Sequence, residues 1–176
     1  AGTSACSGSD KQTLYTAITD YKGDDFIQYA ESLCAGGAMD FSTAYVEAVG
    51  SIDAMGGLQY MGLPLPHDDQ GAILRYKTDH DEAGRATSCG PRTSKLMVKV
   101  LFEEALTLGA RILPSCSGIQ IVKETVDGEE RVRGVIALHR EEKRNAYGLV
   151  FIRCEDLIIA TGGPGELYRD SVYPHH

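Results

Sequence analysis

Asp156-Leu157-Ile158-Ile159-Ala160-Thr161-Gly162-Gly163 is an apolar run that stops in a turn of small residues. A short Leu/Ile run without polar alternation reads as a strand covered on both faces, as in a parallel sheet. Glycine at the carboxyl end of such a strand lets backbone N–H groups come close to a ligand, and open α/β sheets bind ligands at that edge. The expectation is a buried strand over Leu157–Ala160 followed by a turn that faces a ligand.

Immediately upstream lie three strand-like runs, Ile119–Glu124, Val132–His139 and Gly148–Arg153. Asp127-Gly128 separates the first two, and Asp-Gly between alternating runs is a strong hairpin signal. The charged stretch Glu141–Asn145 supplies the second bend, so residues 118–153 read as an antiparallel meander. Before it, Leu96, Val100, Leu101, Ala105 and Leu108 recur at helical spacing, with Thr93 or Ser94 as the start and Gly109 as the stop. Arg111-Ile112-Leu113-Pro114 then completes half of a helix–strand crossover.

The first half of the chain reads as mostly helical. Asp24 and Asp25 are candidate caps for a helix over roughly 26–35, with Phe26, Ile27, Ala30, Leu33 and Cys34 as its stripe. A second helical pattern runs from Asp40 through Val46, Val49, Ile52 and Met55 and stops by Gly62. Residues 67–91 are polar, with a turn at Asp68-Asp69-Gln70-Gly71 and a short strand at Ile73, Leu74 and Tyr76. The segments are therefore 1–62 loop and helices, 63–91 small β-lobe, 92–116 helix and strand, 118–153 meander, and 155–163 buried strand and turn. Together, 1–176 read as one partial domain of the α/β class, with parallel strands, packed helices and a three-stranded antiparallel meander.

Composition narrows the function. The 176 residues include 43% hydrophobic and 24% charged side chains, as in an ordinary globular chain. A net charge of −8 argues against general affinity for nucleic acid or anionic membranes. No apolar run approaches the roughly 20 residues that span a bilayer. The five cysteines lack CxxC spacing, and their odd number suits a reducing, cytoplasmic compartment. Neither Gly-x-Gly-x-x-Gly nor a Walker phosphate loop occurs, and no metal site is indicated.

Four stretches nevertheless share an order with one known family. They are Gly2-Thr3-Ser4-Ala5-Cys6-Ser7-Gly8-Ser9-Asp10-Lys11-Gln12-Thr13, Gly62-Leu63-Pro64-Leu65, Gly90-Pro91-Arg92-Thr93-Ser94 and Ala160-Thr161-Gly162-Gly163. With the meander between the last two, the chain resembles the FAD-binding domain of the fumarate reductase/succinate dehydrogenase flavoprotein family. The resemblance implies a Rossmann-like FAD/NAD(P)-binding fold, here without the N-terminal glycine motif and the capping domain. It also implies a flavin-dependent oxidoreductase that moves hydride between FAD and a small, perhaps dicarboxylate, substrate in the intact protein.

Carried over by position, Ser7, Gly8 and Ser9 resemble the loop that passes the pyrophosphate and flavin. Gly118 resembles the small residue at the adenine edge, and Ala160, Thr161 and Gly162 resemble the turn beside the pyrophosphate. Small residues admit a cofactor closely, and their amides can solvate a diphosphate. Some family members hold flavin covalently through a histidine in the first loop. The earliest histidine here is His67, so non-covalent FAD is expected. The resemblance places the catalytic arginine in the cap, so the catalytic residues are unknown and the chain alone is expected to be inactive.

Arg85 and Arg92 are candidates for contact with an anionic substrate or phosphate. His80, among Asp79, Asp81 and Glu82, reads chiefly as part of a polar surface loop. The terminal His175-His176 pair receives no role. A second reading remains open: a non-catalytic binding or self-association module that uses an exposed sheet edge.

Overall fold

Local signals place the helices. The computed structural model describes residues 2–6, 8–9, 12–18, 24–163 and 167–170. After a short α1 (Thr3–Cys6), α2 spans Phe26–Cys34 and α3 spans Phe41–Tyr60. Asp25 accepts from the Gln28 amide at 2.8 Å, and Asp40 accepts from the Thr43 amide at 3.0 Å. Each carboxylate satisfies an amide that the first helical turn leaves unpaired. At the other end of α3, Gly62 takes φ +93°. Its amide bonds to the Gln59 carbonyl and the Leu63 amide to the Leu58 carbonyl, both at 2.9 Å. This is a Schellman stop, sealed by Leu58 and Leu63 in one apolar cluster. α4 (Thr93–Thr107) ends the same way, with Gly109 at φ +85° and the Ala110 amide on the Ala105 carbonyl.

Apolar periodicity identified α3, but of the expected stripe Val46, Val49, Ile52 and Met55 only Met55 is buried. Val46 is 72% exposed, while Ala44, Ala48, Met55 and Leu58 are buried. The small alanine face allows a close approach to α2, where Tyr29 and Ala30 are buried beside it. A second cluster joins Met55, Leu58, Leu63 and Leu65 to Val100 of α4.

The β-lobe is a sheet of β1 (Leu14–Tyr15), β2 (Tyr76–Thr78) and β3 (Asp81–Thr87), antiparallel in the order β1-β3-β2. Leu14 pairs with Thr87 and Tyr15 with Ala86. Its first strand thus comes from the stretch read as a loop, and its short edge strand β2 begins at Tyr76 rather than Ile73. All these elements belong to one compact unit, Ala1–Ala110.

The second unit, Arg111–His176, contains the meander of β4 (Cys116–Val126), β5 (Glu129–His139) and β6 (Leu149–Arg153). The order is β4-β5-β6 with antiparallel pairing throughout. Asp127 and Gly128 take φ +54° and +85°, the signs of a type I′ hairpin turn. Gly134 is required by close packing: a Cβ there would lie 2.7 Å from the Phe151 ring.

The α/β class and the meander match expectation, whereas the parallel strands do not form among the described residues. Both sheets are antiparallel, and neither 111–114 nor 157–160 is in a strand. Ile112 is 51% exposed and Ile158 90% exposed. A strand forms only against a neighbour that accepts and donates its ladder bonds, and the described residues supply none for these two segments.

Candidate functional site

The first segment expected to face a cofactor lies against the start of α4. The Ser9 amide donates to the Pro91 carbonyl at 3.0 Å. A Cβ on Gly8 would lie 3.3 Å from the same oxygen, so glycine lets the loop pass close to the turn. Ser94 Oγ donates to the Ser4 carbonyl at 2.8 Å and bonds to Gln12 Oε1 at 3.0 Å. Thr93, 1% exposed, donates through Oγ1 to the Gly90 carbonyl and accepts from the Cys89 amide. Two stretches read separately in the sequence, Gly8-Ser9 and Gly90–Ser94, thus form one structure in the first unit. Ser7 lies outside the described residues.

In the second unit, Gly118 lies exposed on β4, paired with Ala137 of β5. A Cβ there would meet Val135 at an ordinary 3.5 Å, so the sheet itself does not demand glycine. Ala160, Thr161, Gly162 and Gly163 are exposed and lie outside any helix or strand. Gly162 takes φ +81°, with no atom within 4 Å of a built Cβ. No hydrogen bond from Ala160, Thr161 or Gly162 to other described residues is present. Their amides and the Thr161 hydroxyl are available to an anionic group, which fits the chemistry of a dinucleotide diphosphate. The Ser9 amide differs, because Pro91 already uses it.

Arg85 is not available to a phosphate or a substrate anion. It is 5% exposed and forms ion pairs with Asp24 at 2.5 Å and Asp81 at 2.8 Å. Its guanidinium carbon lies 4.8 Å from the Tyr29 ring centroid. Burial opposes the Asp24 charge, but the Arg85 hydrogen bonds, the Ile18 amide and nearby arginine charge outweigh it. The carboxyl is held below its usual 3.8. Burial likewise opposes the Arg85 charge, and the two carboxylates overcome it and raise its pKa. The sequence offered a signal in Asp81 and Arg85 at i,i+4, but Asp24 arrives from a distant loop. Arg92 precedes α4 and has no ion-pair partner among the described residues.

His80 lines a cavity of about 340 Å³ with Asp81 and Arg85. Among the described residues no group of three or more His, Cys, Asp or Glu side chains could hold a metal. Cys89 is half-buried beside the second core cluster, and burial pushes its thiol pKa up, away from reactivity. No helix among the described residues is long and apolar enough to cross a membrane.

Comparison with known proteins gives these segments a context. The succinate dehydrogenase flavoprotein subunit of Coxiella burnetii is 29% identical over 119 residues, 64% of this chain and 19% of that protein. The E. coli quinol fumarate reductase FrdA structure superposes with a TM-score of 0.75 at 22% identity, covering 91% of this chain and 26% of that one. Sdh1 of Mycobacterium smegmatis gives 0.72 at 19% identity, covering 97% and 29%. At those identities the structures establish the fold. The chain spans about a fifth of the curated relative's length and little more than a quarter of the solved chains. The family described as FAD binding domain matches residues 1–176, so the chain belongs to that family and its cofactor is FAD.

Proposed function

We propose that this chain serves as the FAD-holding part of a longer, Rossmann-like flavin-dependent oxidoreductase that acts on a small substrate, perhaps a dicarboxylate. The observation that carries the proposal is the Ala160–Gly162 turn, with free backbone donors at the end of an apolar segment, in a chain matched throughout by an FAD-binding family. Bound FAD supplies the hydride-accepting and hydride-donating chemistry. Ala160, Thr161 and Gly162 donate hydrogen bonds to the diphosphate without a Cβ in the way at Gly162. Gly8 keeps its loop tight against Pro91, so that Ser7, Gly8 and Ser9 pass the pyrophosphate and flavin. Gly118 leaves room at the adenine edge.

The Gly2–Thr13 stretch, which resembles the family's first loop, carries no histidine, so the flavin is held non-covalently. Catalytic groups come from outside these 176 residues, which makes the chain inactive alone. Apolar side chains at Ile112, Ile158 and Ile159 are more than half exposed, and burial of each against added chain would be worth about 1.5 kcal/mol or more.

Flavin occupancy after gel filtration tests the reading. A polypeptide extended to the length of the solved relatives should retain FAD until denatured, and Gly162→Val should reduce that occupancy. Stoichiometric flavin on the 176-residue chain, or undiminished occupancy in the extended Gly162→Val variant, contradicts it. The self-association alternative predicts a concentration-dependent mass by light scattering, which a monomer at every concentration would exclude.

A further inference from the structure

We propose that Gln12 is a positioning residue for FAD: its side chain caps α4 from just beyond the flavin-passing loop and so fixes Gly8 and Ser9 where the cofactor meets them. This role rests on the reading of Ser7, Gly8 and Ser9 given above. Gln12 acts through that loop and not by touching the cofactor.

A helix begins with amides that have no partner within it, and a side chain at the preceding position ordinarily takes one of them. α4 lacks that local solution, because Arg92 stands at its N-cap position and makes no side-chain cap bond. The acceptor comes instead from a residue 82 positions earlier. Gln12 Oε1 accepts from the Ser94 amide at 3.3 Å and from the Ser94 hydroxyl at 3.0 Å. The opposite orientation of the Gln12 amide would set two donors face to face, so the oxygen is the atom committed there.

The backbone of Gln12 is tied to the loop as well. Its amide donates to the Ser9 carbonyl at 3.2 Å, and the Ser9 amide donates to the Pro91 carbonyl at 3.0 Å. On the other side of Gly8, the Ser4 carbonyl accepts from the Ser94 hydroxyl at 2.8 Å. Ser94 therefore grips the chain both before and after Gly8-Ser9. The turn before it is fixed in its own right, since the buried Thr93 bonds through Oγ1 to the Gly90 carbonyl and the Cys89 amide. A Gly/Ser loop has many conformations, and holding it in one before the cofactor arrives lowers the entropic cost of binding.

Two measurements separate this clasp from the cofactor assignment. In the 176-residue chain without flavin, Gln12→Met should speed hydrogen exchange of the Ser9 and Ser94 amides and leave α3 unchanged. Gln12→Glu keeps an acceptor oxygen at a helix N-terminus and should restore the protection. In a polypeptide extended to the length of the solved relatives, Gln12→Met should weaken FAD affinity about fivefold, the scale of one neutral hydrogen bond. Ser94→Ala retains the amide contact and should weaken it less, while Ser94→Thr should bind FAD as the wild type does. A bond that served stability alone would lower the melting temperature and leave the Kd of the folded protein unchanged. Unaltered Ser9 exchange in Gln12→Met, or wild-type FAD affinity in both Gln12→Met and Ser94→Ala, overturns the proposal. If the extended wild type binds no FAD, the functional reading itself falls and takes this role with it, even where the Ser9 exchange behaves as expected.

Discussion

The two units solve the same problem of burying apolar surface to very different extents. In the first, two clusters bury Tyr29, Met55, Leu58, Leu63 and Leu65, and a buried arginine is neutralised on two sides. In the second, Ala137 is the one fully buried hydrophobic residue among those described, while Ile119, Phe151 and Ile158 are more than half exposed. Its ion pairs, such as Lys123–Glu130 at 2.8 Å, are on the surface and contribute little. Backbone pairing sets the shape of the meander, but its side chains still lack a surface to cover.

The largest effect expected from a single change is at Arg85. Arg85→Met leaves Asp24 and Asp81 without their cation, and loss of one partner from a buried pair costs about 3–5 kcal/mol. Urea unfolding followed by the Tyr29 ring resonances should show the loss, while β4–β5 amide resonances keep their positions. Equal disturbance of the meander would break the contrast between the units.

Acid should separate the units in the same direction. The Asp24 carboxyl is held below 3.8, so its stabilising contribution is complete above that value and disappears as pH falls through the lower folded value. Below about pH 4 the first unit should lose near-native helicity before the meander loses its cross-strand contacts. Simultaneous loss would mean that the Arg85 cluster does not govern the first unit's acid stability.

A third change tests the meander in isolation. Gly134→Val places a branched side chain against the Phe151 ring and the Ile152 carbonyl, and overpacking of this kind costs about 1–3 kcal/mol. Cross-strand contacts between Val135 and Ile152 should weaken while helix resonances stay fixed. The smallest effect belongs to Asp40→Ala, which removes the α3 cap and should fray only its first turn in hydrogen exchange.

What the sequence made legible was local. Asp25 and Asp40 cap helices through amides three residues away, Gly62 and Gly109 stop them, and Asp127-Gly128 turns a hairpin; each acts within one turn of chain. Pairings set at a distance were not legible. Leu14 and Tyr15 become a strand only because Thr87 and Ala86 lie beside them. The Val46, Val49 and Ile52 face of α3 was the more hydrophobic, but the alanine face was the one that could approach α2 closely. Arg85 was read as an anion contact because nothing nearby in sequence revealed Asp24. Gly8, Ser9, Gly118, Ala160, Thr161 and Gly162 are candidate cofactor contacts through a family resemblance alone, without a spacing motif of their own. The geometry now distinguishes the committed Ser9 amide from the open Ala160–Gly162 turn.

Leu157–Ile159 is the sharpest case, since its pattern is that of a doubly covered strand, yet Ile158 and Ile159 are exposed and Leu157 is only partly buried. Amide hydrogen exchange at Leu157, Ile158 and Ile159 therefore tests the account most directly, comparing the 176-residue chain with a flavin-loaded polypeptide of the relatives' length. The account predicts rapid exchange in the first and strong protection in the second, as the segment gains strands on either side. Protection already present in the short chain, or rapid exchange in both, would contradict it.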